Sequence, residues 1–382
     1  MVEVGDRGVV MINPYTSQFV PASTPDVGDR VIVIPMNDGS KFCIPCLEFS
    51  IGDYVWVGPE FKFAGFNWLL DWLFKLIPVK PPIPAILKSW ILQTANMGTT
   101  IYYHSSVALS DDSIILMGGY TNNVYHSIDK GVSWHQHTTG TPWWSSRHAH
   151  CSVRLSDGSV VLMAGGQDDP VGGKEVWHSL DAGETWHQHI TGTPWWSARL
   201  KPACVVMPDD SIILMGGCLN DVPYTYLNDV WRSTDAGTSW TQQTATAGWS
   251  ARQGHSCVVL SDGSIILMGG IDSFANGLHD VWISTNHGVS WTRQTEHAEW
   301  SARSFHTSVV TAGDEIILMG GTWNNDVWKS TDKGVTWTHM PESVGWGGRS
   351  LHTSVILSDD SIVLAGGADP SMAAYSDVWR YA

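Results

Sequence analysis

An apolar run closed by two glycines occurs six times in this chain: IILMGG ending at Gly119, VLMAGG at Gly166, IILMGG at Gly217, Gly270 and Gly321, and IVLAGG at Gly367. The intervals are 47, 51, 53, 51 and 46 residues. A period near 50 with several short apolar runs per unit has the size of a propeller blade and is too long for a single hairpin or leucine-rich turn. The fourth unit reads as four strands, HSCVVL, SIILMGG, DVWIS and SWTRQ. The turn SDGS joins the first two, with Asp supplying side-chain to backbone bonds and Gly tolerating positive φ.

An octet recurs between the third and fourth strands: SIDKGVSW (127–134), SLDAGETW (179–186), STDAGTSW (233–240), STNHGVSW (284–291) and STDKGVTW (330–337). Ser and Asp can bond backbone N–H groups across a tight turn, Gly supplies the left-handed conformation, and Trp has a large ring to bury. Asn286 stands for Asp in the fourth copy, which a hydrogen-bonding role tolerates and an acid–base role would not. The octet is therefore expected to be architecture. This repetition also accounts for the tryptophans, of which 18 of 22 lie after residue 130.

The order Arg-x-x-His, apolar strand, Gly-Gly, loop, Asp-Val-Trp and a further Trp resembles the Kelch repeat, and the octet resembles the Asp-box of sialidases and other propellers. The two resemblances cover the chain from about residue 87 to its last residue. They imply an all-β propeller with the octets on the face opposite the ligand pocket. The sixth unit reaches Asp377-Val378-Trp379 and the sequence stops at Ala382, before a fourth strand. KSWILQTA at 88–95 matches the outer strand GTSWTQQTA at 237–245, so a six-bladed ring closed by an N-terminal strand is expected over residues 87–382.

Residues 1–60 carry VGDRGVV (4–10), VGDRVIV (27–33) and IGDYVWV (51–57), with NDGS at 37–40 as a hairpin turn, and read as a small β module with little core of its own. Residues 61–86 form an apolar helical segment and a Pro-rich linker. Phe66, Leu69, Leu70, Leu73, Phe74 and Ile77 recur at helical spacing and, with Trp68 and Trp72, form a candidate docking surface. The bland reading is a helix that seals the module onto the propeller; the sharper one docks a homo-oligomer or host particle through residues 1–86.

The loops entering the inner strands are PWWSSRHAH (142–150), PWWSARLKP (194–202), GWSARQGH (248–255), EWSARSFH (299–306) and GWGGRSLH (345–352). They place Trp144, Trp196, Trp249, Trp300 and Trp346 three residues before Arg147, Arg199, Arg252, Arg303 and Arg349. His follows three residues later except where Pro202 intervenes, and the first blade has Ile101 at the Arg position. Guanidinium beside indole suits carboxylate, phosphate or sugar, which makes these ten residues candidate ligand contacts. The competing reading is that each Arg ties its blade to the next by bonding carbonyls or an acidic neighbour, and repetition in five blades favours it. The uneven loops after Gly-Gly add Tyr224, Tyr226, Asp272, Phe274 and Tyr375 as an asymmetric candidate surface.

A net charge of −16 without a basic cluster argues against nucleic acid as a partner. No apolar run is long enough to span a membrane, and the N-terminus lacks a secretory-signal pattern. Cys43 and Cys46 form one Cys-x-x-Cys with no second pair, and the His135/His137 and His187/His189 pairs read as outer-strand residues, so no metal or cofactor is assigned. Cys151, Cys204 and Cys257 occupy nearly matching repeat positions, as small buried residues do. A sialidase-like glycosidase would need an asymmetric Arg cluster and a Tyr–Glu pair, but the Arg residues are symmetry-related and Glu175 and Glu299 are the main acids near the face. No catalytic residue is assigned. The expected function is a non-enzymatic propeller recognising a protein or glycan ligand, at a particle surface or outside the cell in preference to the cytoplasm. The alternatives are a decoration or receptor-binding component of a virus or other large particle, and, less favoured, a glycosidase.

Overall fold

The computed structural model describes residues 88–137, 144–166, 173–189, 196–221, 223–340 and 344–382, with four short strands nearer the N-terminus. The chain divides into two units, Met1–Ile86 and Leu87–Ala382. In the first, Val10–Ile12 pairs antiparallel with Phe19–Pro21, and Val31–Pro35 with Lys41–Pro45. The candidate docking residues Phe66, Trp68, Leu69, Leu70, Trp72, Leu73, Phe74 and Ile77 lie outside the described residues.

The second unit is a six-bladed β-propeller. Each blade is an antiparallel sheet whose strands follow chain order, as in blade 1 (His104–Ala108, Ile114–Gly118, Val124–Ser127, His135–Gln136) and blade 5 (Thr307–Val310, Ile316–Met319, Val327–Ser330, Thr338–His339). Blade 6 takes its first three strands from Thr353–Ile356, Ile362–Ala365 and Val378–Tyr381 and its fourth from Trp90–Thr94, with Tyr381 opposite Trp90. Closure is thus completed by a strand from the opposite end of the unit.

Blade stacking explains why the second strands are apolar at every position instead of alternating. Both faces of a blade are covered by its neighbours. Ile266 and Met268 pack with Ile316 and Leu318 of blade 5, while Ile265 and Leu267 pack with Ile213 and Met215 of blade 3. The same arrangement joins blade 1 to blade 6, where Ile114 and Leu116 meet Val355 and Val363.

The octets are turns held by their own side chains. In the last copy Ser330 Oγ donates to Asp332 Oδ1 at 2.9 Å and accepts Gly334 N–H at 2.9 Å, Asp332 Oδ1 accepts Thr336 N–H at 2.9 Å, and Trp337 Nε1 donates to Gly334 O at 3.2 Å. Asn286 makes the corresponding bonds in its copy, accepting Ser284 Oγ and Ser290 N–H at 3.0 Å each. The octet glycine also seats its blade on the preceding one: a Cβ at Gly288 (φ +80°) would lie 2.6 Å from Val230 Cγ1 of blade 3.

Candidate functional site

In this topology the octets and the turns after the inner strands share one face of the propeller, and the entering loops and the loops after Gly-Gly share the other. The repeated Arg and Trp residues belong to the second face in sequence but are not presented on it. Arg147, Arg199, Arg252, Arg303 and Arg349 are 0–2% exposed. Arg252 Nη1 and Nη2 reach the two oxygens of Asp280 at 2.6 and 2.8 Å, and Nη1 also donates to Gly269 O at 2.9 Å. Arg199 with Asp229, Arg303 with Asp326 and Arg349 with Asp377 repeat this fork, and Arg147 pairs with Glu175.

Each of these ion pairs lies within one blade, so the side chain does not bridge blades as the tying reading expected. The backbone does: Gly217 N–H donates to Arg252 O, Gly270 to Arg303 O and Gly321 to Arg349 O, all at 2.9 Å. In blade 1 Ile101 O accepts Gly367 N–H at 2.8 Å, so this bridge persists without a guanidinium. Burial acts to raise the Asp280 carboxyl, but the Arg252 bonds and charge outweigh it and hold it below the usual carboxylate range.

The paired tryptophans are buried too. Trp144, Trp196, Trp249 and Trp300 meet Trp186, Trp240, Trp291 and Trp337 of their own octets nearly edge-on, at 4.6–6.0 Å between centroids. Trp346 meets Trp90 in the same way at 5.8 Å, so the closing strand also supplies the ring that blade 6 otherwise lacks. This burial speaks against all ten as ligand contacts: the five guanidinium groups are paired with carboxylates and the five indole rings packed on a second tryptophan inside the blades. Glu175 and Glu299 are likewise engaged, Glu175 accepting Trp177 Nε1 at 3.0 Å and Glu299 accepting Trp337 N–H at 3.1 Å.

The uneven loops present a different set. Phe274 is 83% exposed at the tip of the long hairpin Ile265–Ser284, whose turn is fixed by Asp272 accepting the Phe274 and Asn276 N–H groups at 2.9 Å each. Asp272 therefore shapes the loop. Tyr224 is 46% exposed. Tyr226 is half-buried, its hydroxyl accepting Gln253 Nε2 at 3.0 Å, and Cys218 Sγ donates to the same amide at 2.9 Å. Burial pushes the Cys218 thiol up to about 11. Tyr375 lies across Arg349, its ring centroid 4.1 Å from the guanidinium carbon. Tyr120, Trp323 and Met372 are also exposed on loops after Gly-Gly, and the sequence reading missed them.

At the centre of this face the residue just before each inner-strand His, or before Pro202, forms a ring: Tyr103, Ala149, Lys201, Gly254, Phe305 and Leu351, all at φ between +56° and +64°. L side chains pay about 1–2 kcal/mol each for this conformation, which implies that the surrounding structure enforces it. Lys201 Nζ lies 5.4, 5.5 and 5.4 Å from the ring centroids of Tyr103, Tyr224 and Phe305. Burial pushes this ammonium below the usual lysine range. A cavity of about 160 Å³ opens here, lined by Lys201, Tyr103, Phe305 and Leu351 above the inner-strand histidines.

The profile of the KLHDC2/KLHL20/DRC7 Kelch-repeats domain matches residues 103–321 and, in an overlapping second match, 203–382. The chain belongs to the Kelch-repeat family. No curated protein matches it. Among solved structures the Kelch propeller is similar to YjhT, with a TM-score of 0.60 and 13% identity over 75% of this chain and 96% of that one. It is also similar to a protein of unknown function from Dyadobacter fermentans DSM 18053, with a TM-score of 0.55 and 13% identity over 78% of this chain and 100% of that one. At that identity the likeness is one of fold.

Proposed function

We propose that this chain is a non-enzymatic interaction propeller that seats a protein partner on the face built by the loops after Gly-Gly. The observation that carries the reading is the exposure there of Tyr120, Tyr224, Phe274, Trp323 and Met372, each from a different blade. Exposed aromatic side chains on loops held by a rigid ring suit a binding surface, and membership of the Kelch family supports an interaction role. A peptide-display library and a glycan array screened against the full chain test it. Peptide binders should lose about tenfold or more in affinity on F274S/W323S; selected ligands that bind this variant unchanged would remove the face from consideration, and a glycan that loses affinity would replace protein as the ligand class.

A second reading adds assembly. Residues 1–86 would dock the chain on a copy of itself or on a larger particle, including a virus particle, with the propeller displayed; the motivating observation is the apolar stretch FKFAGFNWLLDWLFKLIP at 61–78. Light scattering on the full chain and on residues 82–382 decides it. An assembled full chain with a monomeric, folded shorter form supports docking, and two monomers refute it. Glu175 and Glu299 each accept a hydrogen bond from a tryptophan of the scaffold, which weighs against a sialidase-like glycosidase, and a panel of chromogenic glycosides checks this directly.

A further inference from the structure

The six residues that ring the channel mouth are joined by backbone bonds from blade to blade. Tyr103 N–H donates to Leu351 O at 3.1 Å, Ala149 to Tyr103 O at 2.9 Å, Lys201 to Ala149 O at 2.7 Å, Phe305 to Gly254 O at 2.7 Å and Leu351 to Phe305 O at 3.1 Å. The sixth bond, from Gly254 N–H to Lys201 O, is not formed, so the ring is open between blades 3 and 4.

Other departures from the repeat fall at the same junction. Ser256, Thr307 and Thr353 on the inner strands of blades 4, 5 and 6 meet His306, His352 and His104 of the following blade at 2.8, 3.1 and 3.1 Å. In blade 3 the corresponding residue is Ala203, and neither nitrogen of the buried His255 has a hydrogen-bonding partner among the described residues; His150, between blades 1 and 2, is the other such histidine, but there the backbone ring bond from Ala149 to Tyr103 is formed. Pro202 stands where the other five blades have His, and the residue before it is Lys201. No hydrogen bond or ion pair reaches Lys201 Nζ among the described residues, although the chain has 37 Asp and Glu. Its surroundings are three aromatic rings.

The backbone ring bond kept at the other five junctions is explained by ring closure, and closure gives no reason for it to fail at this one. Here the failure leaves an ammonium, a backbone N–H and a neutral imidazole around one cavity, and all three can donate to an anion. We propose that the junction of blades 3 and 4 is the seat of a carboxylate carried on an apolar or planar body, with Lys201 as its counter-ion and Tyr103, Tyr224 and Phe305 as the walls that stack on that body. The assignment rests on the reading that this face binds the ligand, and deepens it. The net charge of −16 selects against multiply charged anions such as phosphate, which the surrounding field repels more strongly than a monoanion. An acidic side chain of a partner and a free organic acid share this chemistry.

Saturation-transfer NMR on the full chain tests the seat with benzoate, glucuronate and a capped Phe-Glu-Phe peptide, against benzamide and inorganic phosphate as controls. The expected result is that at least one carboxylate binds, that benzamide and phosphate do not compete with it, and that K201M weakens it by about tenfold or more. Because Lys201 holds a strained backbone position, Y224S on an exposed loop provides a second variant, expected to weaken the same probe severalfold. Binding of the peptide alone identifies a partner's side chain as the source, and binding of glucuronate or benzoate alone identifies a free acid. The proposal falls if none of the three carboxylates binds, if phosphate competes equally, or if binding survives both substitutions. Loss of affinity at Phe274 and Trp323 is read separately, since neither residue lines the cavity.

Discussion

Arg252 holds both carboxylate oxygens of Asp280 while Asp280 Oδ2 also accepts Trp282 Nε1 at 2.7 Å, so one part-buried carboxylate ties the entering loop to the third strand of its blade. Blade 1 replaces all three partners together, with Ile101, Asn123 and Tyr125, and Asn123 Nδ2 donates to the Tyr125 hydroxyl at 3.1 Å. Removing one partner of a buried pair strands the other charge and costs about 3–5 kcal/mol. R252I and D280N should each cost about that much in urea unfolding, and the double variant much less than their sum, as blade 1 shows the neutral arrangement to be foldable. Additive losses would show that the pair is not the stabilising unit.

Four blades are linked on the opposite face by an aspartate in the turn after the inner strand. Asp112 accepts Ser358 N–H at 2.7 Å, and Asp210, Asp314 and Asp360 reach Ser156, Ser261 and Ala312 in the same way. Blades 2 and 4 have Gly158 and Gly263 at this position, and a Cβ at Gly158 meets nothing within 4 Å. Gly158→Asp should add the missing link to Ser110 and raise stability by about 0.5–1.5 kcal/mol. A lowered melting temperature in calorimetry would show that the link is worth less than the glycine's left-handed backbone.

Burial pushes His104, His255 and His306 down to about 3. Arg252 pushes His255 further down and Asp280 opposes it. A base with a folded pKa below its unfolded value contributes no pH dependence above about 6.5 and loses stability as pH falls from there towards 3, because only the unfolded chain takes the proton. The urea midpoint should therefore drop between pH 6.5 and 5, before most carboxylates titrate, with a slope of about 1.4 kcal/mol per pH unit for each such His. His255→Asn, at a position without a hydroxyl partner, should flatten that slope. A midpoint constant down to pH 5 contradicts the buried neutral assignment.

Trp90 fills two roles, pairing with Tyr381 across the last sheet and packing on Trp346. W90A should cost about 3–5 kcal/mol, and removal of residues 1–97 should leave the third strand of blade 6 unpaired and prone to association. Residues 87–382 should unfold in one transition. A chain beginning at residue 98 that remains monomeric and equally stable would overturn the closing role.

The blades and their closure were legible in the sequence because every copy must satisfy the same backbone groups: a glycine that meets Val230, a serine that caps Gly334, a tryptophan that meets its neighbour's ring. The fate of the arginines was half legible. Their partner lies 23–30 residues downstream across loops of unequal length, yet the joint loss of Arg and Asp in blade 1 was a signal that the two are paired. Lys201 was missed because its ring position is used through its backbone, so any side chain fits the pattern there. Its aromatic surroundings come from Tyr103, Tyr224 and Phe305, in three different blades, and meet only when the ring has closed.

Sharing a blade between residues 90–94 and 378–381 has a consequence for synthesis. As the chain leaves the ribosome, the first five blades can form from neighbouring segments in turn, but the strand at residue 90 has no partner until residue 381 has emerged. For almost the whole of translation an apolar edge and the open side of blade 1 must be kept from pairing with other nascent chains, and the final event of folding is a clasp made between the oldest and the youngest parts of the propeller.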